Sequence, residues 1–374
     1  MKELSLYVHI PFCKSKCLYC DFPSFANREN LMSDYINALI KEINMKATKY
    51  IIRSLFIGGG TPSYLSEGDL EKLLKCLDKL NFKENAEKTI ECNPGTISDN
   101  KLKIIKKYNI NRISIGLQSV DNNILKSIGR IHTFEQFKEN YQKIRKYGFN
   151  NVNIDVMFGL PNQSVKNYIN GLKEIINLKP DHISAYSLII EEGTPFFKDY
   201  ENEKLNLPNE DQEREMYHKG KELLELNGYN QYEISNFAKD NKRCFHNIQY
   251  WKCNEYLGVG AYSSSFIDSK RIKNVQDIKE YIHLIDNNKS TEIIENINNL
   301  NDNMEEFMFM GLRMIEGIEK LEFERRFKKN IYSIYNSQIN NNIKKGLLLD
   351  KDERIKLTPL GIEFSNEVMC EFIF

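Results

Sequence analysis

Between residues 5 and 190, short apolar, β-branched runs alternate with longer amphipathic segments, a pattern that predicts repeated βα units around a parallel sheet. Six units can be counted, with strands expected at 4–10, 54–60, 88–94, 112–118, 151–159 and 182–190. The segments between them carry helical spacing. Tyr35, Leu39, Ile40 and Ile43 within 33–49, and Leu70, Leu73, Leu74 and Leu77 within 67–80, each form an apolar stripe that a sheet can cover. Beyond about residue 205 the rhythm changes. A helical stretch at 209–227 leads into an aromatic-rich segment, 229–266, and then into a mostly helical tail. The end of that tail, 346–364, reads as a helix end, a two-strand wing and a helix start. The expected organisation is an α/β core over 1–205, a helical and aromatic-rich extension over 206–290, and a smaller, mostly helical, winged-helix-like domain over 291–374.

Bulk composition narrows the partners. The 374 residues are 41% hydrophobic, enough for one large core and a smaller one. Lys and Arg (52) balance Asp and Glu (52), so no positive field would hold a nucleic acid, and nucleic acid is excluded as a partner. The first ten residues lack the apolar stretch of a signal peptide, and the run 183–190 is too short to span a bilayer, so a cytoplasmic location is expected. The Asn-rich stretch 296–303 reads as loop.

The cysteines carry the chemistry. In a reducing compartment the eight cysteines are ligands or buried thiols rather than disulfides. Cys76, Cys92, Cys244, Cys253 and Cys370 are scattered, but Cys13, Cys17 and Cys20 form a C-x3-C-x2-C loop directly after an expected strand. One compact turn then presents three thiolates to a metal. Two occupants suit it. Zinc would be closed by His9 as a Cys3His site, whereas three thiolates on a cubane iron–sulfur cluster leave one iron open to a small molecule.

Polar residues recur where the other expected strands end. Gly59, Gly60 and Thr61 follow one strand, and Glu91, Gln118 and Asp155 close three more. Such groups converging on a C-terminal rim suit a ribose, an amine and a water network, although each alone also fits an ordinary turn or cap. Arg130 offers a fork to a carboxylate; the plain alternative is a solvated charge at a helix end.

The segment VHIPFCKSKCLYCDF resembles the N-terminal signature of radical S-adenosylmethionine (SAM) enzymes related to anaerobic coproporphyrinogen III oxidase, and the resemblance extends over essentially the whole chain. It implies a partial (β/α)6 TIM-like barrel and a [4Fe–4S] cluster on Cys13, Cys17 and Cys20. It further implies that SAM chelates the open iron and is cleaved by an electron from the cluster, which a reductant such as flavodoxin or ferredoxin would supply. Tyr7, Tyr19, Gly59, Gly60, Thr61, Glu91, Gln118, Arg130 and Asp155 match positions that contact SAM in that family, with Tyr19 where a Phe is often found.

Two branches of the family share these features. The oxidase pattern has a further cysteine two residues after the loop, where this chain has Phe22, and an N-terminal extension for which a loop starting at Cys13 leaves no room. HNIQYW (246–251) is similar to the haem-binding motif of the other branch, the haem chaperones (HemW). By that likeness His246 is the candidate haem ligand, with Tyr250 and Trp251 packing on the macrocycle; Cys244 is a second thiolate to weigh. The stretch 305–317 resembles the family's C-terminal signature and is read as a packed helix face.

The expectation is a haem chaperone, capable of SAM cleavage, that binds the cluster, SAM and haem. It would deliver haem to membrane haemoproteins such as cytochromes or respiratory oxidases by transient docking at the cytoplasmic face. One alternative is oxidative decarboxylation of coproporphyrinogen III to protoporphyrinogen IX; another is a zinc-stabilised, non-catalytic barrel. Whether the unit is a homodimer is left open by the sequence.

Overall fold

The computed structural model of the chain describes residues 1–373. Six strands pair in parallel and in chain order: β1 (Glu3–Ile10), β2 (Ile51–Gly59), β3 (Phe82–Cys92), β4 (Arg112–Gln118), β5 (Val152–Phe158) and β6 (His182–Ser187). Helices cross over between them. One set of alternate strand positions, including Leu4, Leu6, Val8 and Ile10 on β1 and Ile113, Ile115 and Leu117 on β4, is buried in one core with helix residues such as Leu39, Leu70 and Ile105. The side chain period of a strand is two residues, so the intervening positions share the opposite face. These are Ser5, Tyr7 and His9; Ser54, Phe56 and Gly58; Glu87, Thr89 and Glu91; Arg112 and Ser114; Asn153 and Asp155; and His182 and Ser184. The result is a partial (β/α)6 barrel with an apolar jacket outside and a polar lumen inside.

Several polar groups in the lumen satisfy one another, although Thr89 Oγ1 and Arg112 Nε have no partner among the described residues. Asn153 Nδ2 donates to Ser114 Oγ (2.8 Å) and Asp155 Oδ1 (2.7 Å), while its Oδ1 meets His182 Nδ1 at 2.6 Å and Ser184 Oγ at 3.1 Å. A lumen wired this way keeps its side chains fixed, because every broken link would leave a buried polar atom unpaired.

After residue 205 the structure departs from expectation. The segment expected to be helical and aromatic-rich keeps its helix, Glu210–Leu226, but then supplies β7 (Asn230–Glu233), β8 (Asn236–Ala238), β9 (Tyr256–Val259), β10 (Ser264–Ile267) and β11 (Lys270–Asn274). With β12 (Glu292–Ile297) these extend the sheet to twelve strands, in the order β12-β11-β10-β9-β1-β2-β3-β4-β5-β6-β8-β7. Sequences such as KRIKN have no apolar period of their own. They become strands because β1 and β6 present unpaired ladder edges, which β9 joins in parallel and β8 antiparallel.

β12 lies beyond the boundary expected at 290–291, so the main sheet reaches Ile297. The C-terminal unit follows with its own core, in which Met304, Met308, Phe323, Tyr335 and Ile355 are fully buried. It contains a three-stranded sheet of β13 (Ile318–Glu319), β14 (Leu348–Lys351) and β15 (Arg354–Leu357), the last two forming the expected wing before helix Pro359–Glu363. Among the described residues no helix is long and apolar enough to cross a membrane.

Candidate cofactor site and barrel plug

The cysteine loop leaves β1 and is pinned from three sides. Phe25 N–H donates to Pro11 O (2.8 Å) and Cys13 N–H to Phe25 O (3.0 Å), closing its base. Leu18 N–H reaches Ile128 O (3.1 Å), and Leu18 O accepts from Phe196 N–H (3.0 Å). Thr61 Oγ1 lies 3.5 Å from Cys13 Sγ, and Arg130 Nη1 donates to Cys17 Sγ at 3.5 Å. A hydroxyl and a guanidinium aimed at two sulfurs are what thiolates need when they carry charge away from bulk water. This donor set fits an iron–sulfur cluster.

The fourth ligand of the zinc alternative, His9, is occupied elsewhere in this fold. His9 Nε2 lies 2.8 Å from Pro23 O, an atom that only accepts, so that nitrogen carries the proton. Burial pulls the imidazole down to about pKa 4, keeping the ring neutral, so Nδ1 accepts from the Tyr7 hydroxyl at 3.0 Å. Both ring nitrogens are therefore engaged within the fold.

The glycine turn is shaped by what approaches it. Gly59 has φ +107°, and a Cβ there would lie 2.4 Å from the His9 ring; a Cβ on Gly60 would lie 2.7 Å from Phe12 O. Gly59 N–H donates to Glu91 Oε2 (3.1 Å), Gly60 N–H to Ile10 O (2.8 Å) and Thr61 N–H to Phe12 O (2.8 Å). With those amides spent, and with Thr61 O accepting from Tyr64 N–H (2.9 Å), the polarity the turn can offer an ammonium group is that of its glycine carbonyls.

Glu91, expected at this rim, is pushed up to about pKa 7 by burial and then by the neighbouring Asp155 charge. Asp155 is raised as well, mainly by burial, and accepts from Asn153 and Ser114. Gln118 sits at φ +75° beside a register shift between Gly116 and Gln118 that turns the end of β4. Tyr7 is half-buried in the lumen near Glu91, and desolvation of its hydroxyl raises the pKa. Tyr19 packs beside Phe196, with centroids 6.4 Å apart, near Cys17 and Arg130.

Arg130, expected to offer a fork, is engaged through both terminal nitrogens, while its buried Nε has no partner among the described residues. Its Nη2 is shared by Asn93 Oδ1 (2.8 Å) and Gly116 O (2.5 Å). It is a brace that ties the cysteine loop to the strand ends. Asn93, overlooked in the sequence, completes the brace by donating to Thr61 Oγ1 at 2.7 Å. Its signal was its place in ECNP, directly beyond a strand end that already carried Glu91.

The HNIQYW motif forms helix Phe245–Trp251 between β8 and β9 and enters the lumen. Glu87 accepts at its N-terminus from Phe245 N–H (3.1 Å) and His246 N–H (3.0 Å), countering the positive end of the helix dipole. His246 is fully buried. Its Nδ1 lies 2.9 Å from Ser54 Oγ and its Nε2 2.8 Å from Tyr250 Oη, while its ring tilts against Phe56 at 5.2 Å. Burial takes its pKa down to about 3. In this conformation both ring nitrogens of His246, expected from the motif to be the haem ligand, are engaged inside the barrel. Cys244 is likewise closed off, fully buried with its thiol toward Glu87 at 3.5 Å. Tyr250 turns toward Tyr256, their rings 4.6 Å apart at 83°, and Arg313 lies 4.5 Å over Trp251.

A parallel partial barrel with three cysteines on the loop after its first strand and a polar rim beside them defines a radical SAM protein. The radical SAM superfamily model matches residues 7–173, and the HemN C-terminal domain model matches 298–364. The chain belongs to the HemW family. It is 37% identical to heme chaperone HemW of Lactococcus lactis (100% of this chain, 98% of that protein), 35% identical to that of Bacillus subtilis (99% of each) and 31% identical to that of Escherichia coli (100% and 99%). Its fold also matches a solved structure of coproporphyrinogen III oxidase (HemN) from Escherichia coli, with a TM-score of 0.86 over 99% of this chain and 90% of that one at 23% identity.

Proposed function

We propose that the chain is a haem chaperone that carries a [4Fe–4S] cluster on Cys13, Cys17 and Cys20, binds SAM at the rim, and hands haem to membrane haemoproteins. The observation that carries the cluster and SAM assignment is the pinned loop, with three thiols, Thr61 and Arg130 on two of their sulfurs, and His9 withheld. A cluster held so would keep one iron open to the amino and carboxylate groups of SAM and would supply it with an electron. The chain's own residues orient the ligand. The glycine carbonyls of the Gly59–Thr61 turn receive the ammonium, and Glu91 and Asp155 receive donors from the lumen side. Tyr7, Tyr19 and Gln118 wall the site, while Arg130 holds the loop against it. A flavodoxin or ferredoxin would be the reductant.

The chaperone role rather than coproporphyrinogen decarboxylation is supported by Phe22, 61% exposed where the oxidase-like pattern has a cysteine, and by the relatives' name. The test is anaerobic reconstitution followed by three measurements. Iron and inorganic sulfide near four each per chain, a SAM-dependent change in the cluster's electron paramagnetic resonance, and haemin binding without turnover of coproporphyrinogen III are expected. Protoporphyrinogen IX as product would overturn the chaperone role, and zinc without sulfide would overturn the cluster.

A further inference from the structure

With His246 enclosed, the haem of the proposed function needs another seat. A cavity of about 410 Å³ opens between the end of the plug helix, β9–β11 and the cysteine loop. A haem macrocycle is of comparable volume, so the space takes most of one with an edge left outside. Its lining is aromatic: Tyr250 and Trp251 come from the plug helix, and Tyr256 and Phe266 are cross-strand partners on β9 and β10. Such faces pack on a flat conjugated ring at little conformational cost. Trp251 brings a further signal, a buried indole N–H without an acceptor among the described residues.

Two cations border the cavity, with different freedom. Arg271 lies 4.1 Å over the Phe266 ring and is held by Glu306 and the Tyr256 hydroxyl, so it serves as wall. Lys273 lies 4.1 Å over the Tyr262 ring, and its ion pair is a 3.7 Å approach to the half-exposed Glu295. A pair of that length with a half-exposed carboxylate holds its partner weakly, leaving the ammonium able to turn to another carboxylate. Sulfur is the remaining donor type. Cys253 and Met310 both line the cavity, and Cys253 donates to Glu306 O (3.3 Å), one helical turn before Met310. Cys253 holds φ +47°, a left-handed backbone that its surroundings must impose. His9, the one histidine in the wall, has both nitrogens engaged.

We propose that this cavity seats haem edge-on against its aromatic lining, with a propionate on Lys273 and the iron turned toward the sulfurs of Cys253 and Met310. The proposal rests on the haem-chaperone reading and adds where the cargo lies. Tyr7 and His9 form the wall shared with the rim, so the cargo would sit against the SAM site.

The test uses the reconstituted full chain and haemin. Ser264, exposed and lining the cavity, is changed to Trp to fill the space, and Lys273→Glu reverses the rim charge. Ser264→Trp should weaken haemin binding at least tenfold, read from the Soret band, with iron, sulfide and SAM binding retained. Lys273→Glu should weaken it several-fold, less so at high salt. A second measurement needs no variant: saturating haemin should protect Cys253 from alkylation by N-ethylmaleimide, while the exposed Cys370 stays reactive. Unprotected Cys253, or wild-type affinity in both variants, overturns the cavity assignment while the chaperone reading stands. Absence of haemin binding by the wild type removes both.

Discussion

The Nε2 atom of His246 lies 2.8 Å from the hydroxyl of Tyr250, one turn further along the helix that plugs the barrel. The bond and its counterpart to Ser54 make the imidazole a structural link between plug and wall. His246→Ala should therefore cost about 2–4 kcal/mol at neutral pH, combining a cavity with unpaired hydroxyls. Its folded pKa of about 3 lies below the ordinary 6.5, so the imidazole's contribution is complete above pH 6.5 and fades as pH falls toward 3. Urea unfolding of wild type and His246→Gln at pH 7.5 and pH 5 should show a gap that narrows in acid. A gap independent of pH would mean that the ring is not held neutral.

Glu91 carries the opposite sign. Burial and Asp155 raise its folded pKa from 4.5 to about 7, so the fold favours the protonated acid. The stability it contributes is complete below pH 4.5 and is lost as pH rises through 7. Without SAM, Glu91→Gln should stabilise the protein by about 3 kcal/mol at pH 8, with most of that gain gone by pH 5. The same change should weaken SAM binding at pH 8 by removing a carboxylate from the rim. Thermal melts at the two pH values, with and without SAM, check both halves; a destabilised variant at pH 8 would show that the carboxylate is already paired.

The contrast between these two residues shows what the sequence made legible. Glu91 stood at the end of a recognisable strand, and the cysteine spacing announced its own chemistry. The polar lumen was also written in the chain, because ELSLYVHI alternates Ser5, Tyr7 and His9 with Leu6 and Val8, yet the apolar half of the alternation dominated the reading. The enclosure of His246 was not legible, because a motif records residue types, not which way a helix faces. The added strands β7–β12 had no signal of their own, since their pairing depends on edges contributed by residues far away in sequence.

Gly59 tests how closely the turn is built around His9. Gly59→Ala meets both a left-handed backbone (φ +107°) and the imidazole at 2.4 Å. It should destabilise by about 2–5 kcal/mol and weaken SAM binding at least tenfold, because relief requires moving His9 from Pro23 and Tyr7. Gly95→Ala is the control: φ is +81° but open space surrounds it, so only backbone strain of about 1 kcal/mol applies. Equal losses of stability in the two would leave the His9 approach without consequence.

Arg130 links the loop chemistry to the barrel, and its two roles separate experimentally. One nitrogen supports Asn93 and Gly116, so Arg130→Met should cost about 1–3 kcal/mol by leaving buried acceptors unpaired. The other donates to Cys17 Sγ, and a positive donor at a ligating sulfur favours the more negative, reduced cluster. The variant should therefore reconstitute with wild-type iron and sulfide but show a lower midpoint potential in a redox titration followed by electron paramagnetic resonance. Arg130→Lys retains the charge without the fork, so it should recover more of the potential than of the stability. A midpoint identical in wild type and Arg130→Met would detach Arg130 from the cluster and leave it a strand-end brace alone.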